Sequence, residues 1–242
     1  MQKISPFGNY ANNNSIAAVV VAAGTSVRMN GLDKIFSSIN NIPLLVHSLK
    51  VFNNYPNNDQ IALVVNKDSL AEGRNVIKEY SLTNVTAICV GGTKRRYSVR
   101  AGLNAINPCD TVIIHDAARP IIDLTMIERG LLAAEDTGAA IAAVPTTDTH
   151  KIVSSENMVI DTIDRKTLWA VQTPQIFDYH LLVSVHEQAN GDFTDDASMV
   201  ESLGYPVKIF MGSYKNIKVT TPEDIPIVES LIEQNDKNKS AL

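Results

Sequence analysis

Seven small or β-branched apolar residues run without interruption from Ile16 to Ala22 (IAAVVVA), and the run is closed by Gly24. A strand of that composition has no face for water. It has to be covered on both sides, as the strands of parallel sheets are. Parallel neighbours need crossover connections, and the chain supplies the pieces in alternation. Further strands are expected at 61–65, 85–90, 111–115 and 139–144. Between them, segments 44–52, 69–80, 95–106 and 124–137 carry apolar residues at three- and four-residue spacing, the mark of one-sided helices. The alternation predicts βαβ units with right-handed crossovers and a mostly parallel sheet, a Rossmann-like α/β domain. With 242 residues, 45% of them hydrophobic, one such domain with a sizeable core is the expected organisation. Disordered, collagen-like and disulfide-scaffold classes are excluded by composition.

The pattern changes after Pro145. Residues 149–163 (THKIVSSENMVIDTI) hold two β-like runs around Ser154-Ser155-Glu156-Asn157, which predicts a hairpin projecting from the sheet. Such a hairpin is marginal alone in water, so it needs cover, and another subunit is one candidate. Helices at 179–188 and 195–203, a strand at 207–210 and a helix at 222–233 complete the chain. Thr221-Pro222 suits an N-cap followed by an N1 proline. The domain is expected to span 16–234 with an arm at about 148–165, flanked by flexible tails at 1–15 and 235–242.

The net charge of −5 argues against nucleic acid as a partner but not against phosphorylated small molecules. No stretch of eighteen apolar residues exists to span a membrane. The first fifteen residues have neither the apolar region of a signal peptide nor the Arg-rich pattern of a transit peptide. Cys89 and Cys109 form neither a zinc motif nor a disulfide framework and read as free thiols, so a cytoplasmic home is expected.

Three clusters sit where strands end. Ala22-Ala23-Gly24 opens a loop that continues to Arg28 and Lys34. Small residues let a backbone approach a ligand, and two cations beside it suit a triphosphate. The later glycines of a dinucleotide fingerprint and the Gly-Lys-Ser/Thr of a P-loop are absent. A plain strand–helix turn with solvated cations is the other reading. Gly91-Gly92, followed by Arg95 and Ser98 at the start of a helix, either contacts a nucleotide or is an ordinary glycine turn. In His115-Asp116-Ala117-Ala118-Arg119-Pro120, Asp116 ends a central strand and is placed to hold Mg²⁺ on a phosphate, with Arg119 available to a second phosphate. Asp116 and Arg119 pairing only with each other is the alternative, and His115 reads as a packed core histidine. Thr173-Pro174-Gln175, Thr194-Asp195-Asp196 and Asn216-Ile217-Lys218 are weaker polar clusters. The second reads as an N-cap and the third as containing an exposed edge lysine.

In sequence, the elements AAG-T-S-V-RM…K, GG-x-x-R-x-x-S-V, HDAARP, VP-x-x-DT-x-K, DR-x-x-LW-x-x-QTPQ-x-F, TDDAS and NIKVTTPED resemble the 2-C-methyl-D-erythritol 4-phosphate cytidylyltransferases from about Ile16 to Glu233. The resemblance implies a homodimer clasped through β-arms, with CTP and a polyol phosphate as substrates and Mg²⁺ as cofactor. By the same resemblance, Ala22, Ala23, Gly24, Gly92, Arg95, Ser98 and Ala117 would face CTP, and Asp116 would hold the metal. Arg28, Lys34, Lys218 and Arg165 would act in catalysis. Arg119, Thr149, Arg165, Thr173 and Lys218 would receive the polyol phosphate, with Thr149 and Arg165 supplied by the other subunit. The chain departs from the family pattern at Ser26 and Val27, and in the six-residue step from Arg28 to Lys34. Ribitol-5-phosphate cytidylyltransferase, which shares the nucleotide loops, and a non-catalytic nucleotide-binding module are the competing readings.

Overall fold

The computed structural model describes residues 14–24 and 34–240. Its centre is a seven-stranded sheet in the order β11-β7-β10-β6-β1-β4-β5. The strands are β1 (Ile16–Val21), β4 (Asn58–Val65), β5 (Val85–Val90), β6 (Thr111–Asp116), β7 (Ala139–Pro145), β10 (Trp169–Asp178) and β11 (Lys208–Met211). β1 pairs in parallel with both β4 and β6, and β4 pairs in parallel with β5. The chain therefore builds outward from β1 in one direction, then returns to place β6 on its other side. Such a reversal leaves a crevice at the carboxyl ends of β1 and β6, the usual place for a ligand in an open α/β sheet.

Burial explains the apolar run. Ala18 and Val20 of β1 enter one core cluster, with Leu45, Leu49 and Phe52 of α1 (Leu44–Asn53) and Met126, Ile127 and Leu131 of α4 (Leu124–Ala134). Ala17 and Val19 enter the other, with Val99 and Leu103 of α3 (Arg95–Leu103) and Leu182 and Val185 of α5 (Tyr179–Gln188). Helix α2 (Leu70–Glu79) contacts β5 near the sheet's edge, and α6 (Asp196–Ser202) packs beside α5. The expected strands and helices form within a few residues of their anticipated bounds.

Two elements lie outside the expectation. β10 runs antiparallel between β6 and β7 and makes the sheet mixed. Its sequence hides it. Gln172, Thr173, Pro174 and Gln175 interrupt the apolar pattern, and a proline cannot donate to a ladder. The structure accommodates this by breaking the register with β7 between Val171 and Gln175. A short hairpin of β2 (Ser38–Ile39) and β3 (Ile42–Pro43) turns through Asn40 and Asn41, both at positive φ (50° and 62°), which suits asparagine in a two-residue loop.

The arm forms as anticipated, with β8 (Lys151–Val153) antiparallel to β9 (Val159–Thr162). Its apolar side chains lie in the open: Val159 is 60% exposed and Ile160 66%. The C-terminal helix differs from expectation at both ends. It begins at Asp224, two residues past Pro222, and the Asp224 carboxylate accepts hydrogen bonds from the backbone N–H groups of Thr220 and Thr221. It continues to Ser240, so residues 235–240 of the expected tail are helical; no proline or glycine interrupts that stretch.

Candidate active site

Asp116, at the last position of β6, is the hub of the crevice. Its Oδ1 accepts from Arg95 Nε at 3.3 Å and its Oδ2 from Lys218 Nζ at 2.6 Å. Burial opposes the charge on Asp116, but Arg95 and then Lys218 override it and hold the carboxyl well below the usual carboxylate range. It is an anion at any physiological pH. Arg119 does not pair with it side chain to side chain; Arg119 Nη1 instead donates to the carbonyl of Asn216 at 2.8 Å. Burial pushes the Arg119 pKa down, with Asp116 opposing.

The backbone of this hub is locked by a chain of hydrogen bonds. A carbonyl only accepts, so His115 Nε2 must donate to the Arg119 carbonyl, 3.0 Å away. That leaves His115 Nδ1 as acceptor for the Thr173 hydroxyl at 3.2 Å, while the hydroxyl oxygen accepts from the Asp116 N–H at 3.0 Å. Full burial pushes the His115 pKa down to about 4, so the ring stays neutral and keeps this pattern. His115 also packs on Phe52, with ring centroids 5.2 Å apart. It is the core histidine that the sequence suggests. Thr173 acts here as a brace for Asp116 as well as a lining residue.

Two clefts meet at the hub. The first, of about 320 Å³, is lined by Ala22, Ala23 and Gly24 from the end of β1, by Gly92, Arg95 and Ser98 from the loop and first turn of α3, and by Asp116, Ala118 and Lys218. A Cβ on Gly91 would fall 2.3 Å from Ala23 Cβ and 2.6 Å from Ser98 Oγ, so only glycine lets this loop lie against the end of β1. Ser98 Oγ accepts from the Gly92 N–H at 3.2 Å and fixes the loop from inside. Ala117 does not line this cleft: its side chain is fully buried in the core, and Ala118 takes the wall instead. The chain has left β6 and turns at these two residues, with the Ala117 N–H donating to the Val21 carbonyl at 2.9 Å.

The second cleft, of about 370 Å³, is lined by Arg119, Thr173, Gln175, Thr194, Asp195 and Ser198 among others. The two clefts share Arg95, Asp116 and Lys218. Lys218 reaches the hub because the Val219 N–H donates to the Ala118 carbonyl at 2.8 Å, which hangs the late segment over the end of β6. Asn216 secures the same segment, donating from Nδ2 to the Thr173 carbonyl at 2.8 Å. So Lys218 is not the solvated edge lysine that its local sequence allows.

Thr149 and Arg165 line neither cleft of the single chain; Arg165 Nη1 donates to the carbonyl of Thr147 at the base of the arm. Arg28 lies outside the described residues, and Lys34 is described only in its backbone, at the start of the 3₁₀ turn Lys34–Phe36.

Sequence reasoning missed one buried network. Arg95 Nη1 donates to Asp196, whose other oxygen accepts from His186 Nε2 at 3.1 Å. Asp196 is fully buried and His186 nearly so. The signal was present in Thr194-Asp195-Asp196: one carboxylate, Asp195, is enough to cap α6 through the Ser198 N–H, which left the second unexplained.

A model of the 2-C-methyl-D-erythritol 4-phosphate cytidylyltransferase family matches residues 16–234, the stretch that builds both clefts. The chain belongs to this family. A relative of that name from Dehalococcoides mccartyi is 46% identical over 222 residues, covering 92% of this chain and 98% of its own. One from Clostridium novyi is 43% identical over 221 residues, covering 89% and 96%. Among solved structures, a 4-diphosphocytidyl-2C-methyl-D-erythritol synthase from Anaerococcus prevotii superposes with a TM-score of 0.79 at 28% identity, covering 91% of this chain and 99% of that one. The cytidylyltransferase of this family from Thermus thermophilus gives 0.74 at 28% identity, with 89% and 98% coverage. Members of the family are nucleotidyltransferases, and the mixed sheet found here matches their fold.

Proposed function

We propose that the protein transfers CMP from CTP to 2-C-methyl-D-erythritol 4-phosphate, releasing pyrophosphate, as an enzyme of the non-mevalonate isoprenoid pathway. One observation carries the reading: two clefts share a single charged hub of Arg95, Asp116 and Lys218. A reaction joining two phosphorylated substrates needs such an arrangement. In our reading CTP takes the first cleft, against Ala22–Gly24 and the Gly92–Ser98 loop, with Arg28 and Lys34 on its triphosphate. The polyol phosphate takes the second, near Arg119 and Thr173. Its phosphate oxygen attacks the α-phosphorus in line, and pyrophosphate leaves. The nucleophile is already an anion, so no strong base is required. Positioning and charge stabilisation by Lys218 and its neighbours supply the catalysis.

Asp116 is the carboxylate that lines the first cleft, and among the described residues no group of three or more His, Cys, Asp or Glu forms a metal cage. One carboxylate plus substrate phosphates is the usual setting for Mg²⁺, so the donor set fits a metal arriving with the nucleotide. Asp116 would hold it, and it would neutralise developing charge on the phosphates. Pyrophosphate release tests the whole reading: we expect turnover with CTP and methylerythritol phosphate, little with ATP or UTP, and none in excess chelator. Equal turnover on all nucleotides, or full activity without divalent metal, would refute the corresponding part. Greater turnover on ribitol 5-phosphate would reassign the acceptor. Both substrates are water-soluble phosphates, so a cytoplasmic location accompanies the reading. No helix among the described residues is long and apolar enough to cross a membrane.

The working unit in this reading is a homodimer with residues 148–165 as the clasp. The support is the exposed apolar surface of Ile152, Val153, Val159 and Ile160 on a two-stranded arm with no core of its own. Thr149 and Arg165 then serve the partner's site. Mixing Arg28→Ala with Arg165→Ala subunits should restore activity in the mixed dimers, because one of their two sites becomes intact. Verified heterodimers with no regained activity, or a fully active monomer, would exclude shared sites.

A further inference from the structure

Among the described residues, six buried side-chain polar atoms have no hydrogen-bond partner, and three of them belong to residues that line the second cleft. Two are cationic donors, Arg95 Nη2 and Arg119 Nε; the third is a neutral acceptor, Gln175 Oε1. Buried polar atoms in a native protein are nearly always paired, so three orphans around one cleft mark the complement of a ligand. The two donors call for an anionic oxygen. The acceptor calls for a hydroxyl.

Gln175 is 1% exposed and sits in the middle of the sheet, opposite Ile114 of β6 and Ile141 of β7. Gln175 lines the second cleft, and the assignment of its amide is not ambiguous. Gln175 and Asp195 Oδ2 are in contact at 2.7 Å, and a carboxylate only accepts, so the amide nitrogen must point at Asp195 and the oxygen away from it. Asp195 is itself fixed, since its Oδ1 accepts from the Ser198 N–H at 3.0 Å as the cap of α6. A rigid helix cap therefore dictates that the amide's acceptor, and not its donor, is left for a further partner.

The geometry points to Gln175, oriented by Asp195, as a residue that selects the acceptor alcohol: its Oε1 accepts a hydrogen bond from a polyol hydroxyl while Arg119 and Lys218 meet the phosphate. This inference rests on the cytidylyltransferase reading and adds to it a source of discrimination for hydroxylated acceptors. A site with a buried polar group left unpaired rejects an analogue lacking the matching hydroxyl far more strongly than an apolar pocket rejects a changed methyl group.

The test compares kcat/KM for 2-C-methyl-D-erythritol 4-phosphate with that for its monodeoxy analogues, lacking the hydroxyl on carbon 1, 2 or 3, in wild type and Gln175→Met. Methionine keeps the length and removes the acceptor. For one analogue, wild type should discriminate strongly, and Gln175→Met should reduce that discrimination about 10–100-fold by losing activity on the full substrate while holding it on the analogue. CTP binding should be unchanged. Asp195→Asn retains a good N-cap but no longer fixes the amide, so it should give a smaller loss of the same discrimination. It also carries the test should Gln175→Met not fold. An equal loss on all acceptors would make Gln175 structural and overturn the inference, as would unchanged discrimination, which would mean that water satisfies Oε1. Wild type inactive on methylerythritol phosphate would instead overturn the underlying reading, and this inference with it.

Discussion

Replacing Lys218 with alanine should lower turnover about 10²–10³-fold, the loss typical of one preorganised charge at a reacting centre. CTP binding should be largely kept. Lys218 belongs to both clefts and holds Asp116 at 2.6 Å in the free protein. Its side chain is 40% exposed, so it can leave that pair for a ligand. A compact charge between two approaching phosphates gains most as they close, which lowers kcat when it is lost and leaves ground-state nucleotide binding little changed. Calorimetric titration of CTP beside steady-state rates decides the matter. A loss of CTP affinity as large as the loss of rate would move Lys218 wholly into the nucleotide cleft. Near-normal kinetics would return it to the status of a surface lysine.

Asp196→Ala should cost about 3–5 kcal/mol of folding stability, the range for removing one partner of a buried ion pair. Against a typical domain stability of about 5–15 kcal/mol this is a large fraction. The variant leaves the Arg95 guanidinium with Asp116 alone and the His186 N–H with no acceptor in the core. Asp196→Asn should cost less, because an amide oxygen still accepts from His186. The pH dependence has a definite sign. Burial alone would raise the Asp196 pKa, but Arg95, followed by the His186 hydrogen bond, holds it below its ordinary 3.8. The pair's contribution is therefore complete above the unfolded value of 3.8 and is lost as pH falls through the lower folded value. Urea unfolding at neutral pH should separate wild type from Asp196→Ala widely, and the gap should narrow only in strong acid. A gap below about 1 kcal/mol at neutral pH, the worth of an exposed pair, would mean that the network is not buried in solution.

The run Ile16–Ala22 determined by itself that a strand would be covered on both faces, and with it the layered α/β fold, because apolar burial is written in composition and period. The glycines at 91 and 92 and the small residues at 22–24 marked where the backbone had to come close, and the resemblance through HDAARP and QTPQ supplied the chemistry. What the sequence could not express was partnership across distance. β10 carries polar residues and a proline in a central strand because Gln172, Thr173 and Gln175 find hydrogen-bond partners twenty or more residues away, so local pattern argued against a strand that tertiary contacts pay for. The same physics decided that Asp196 answers Arg95 across 101 residues and that Lys218 lies at the hub. A charged side chain's local sequence fixes only its reach; which opposite charge it meets, and how much water is left around the pair, is set by the packed fold.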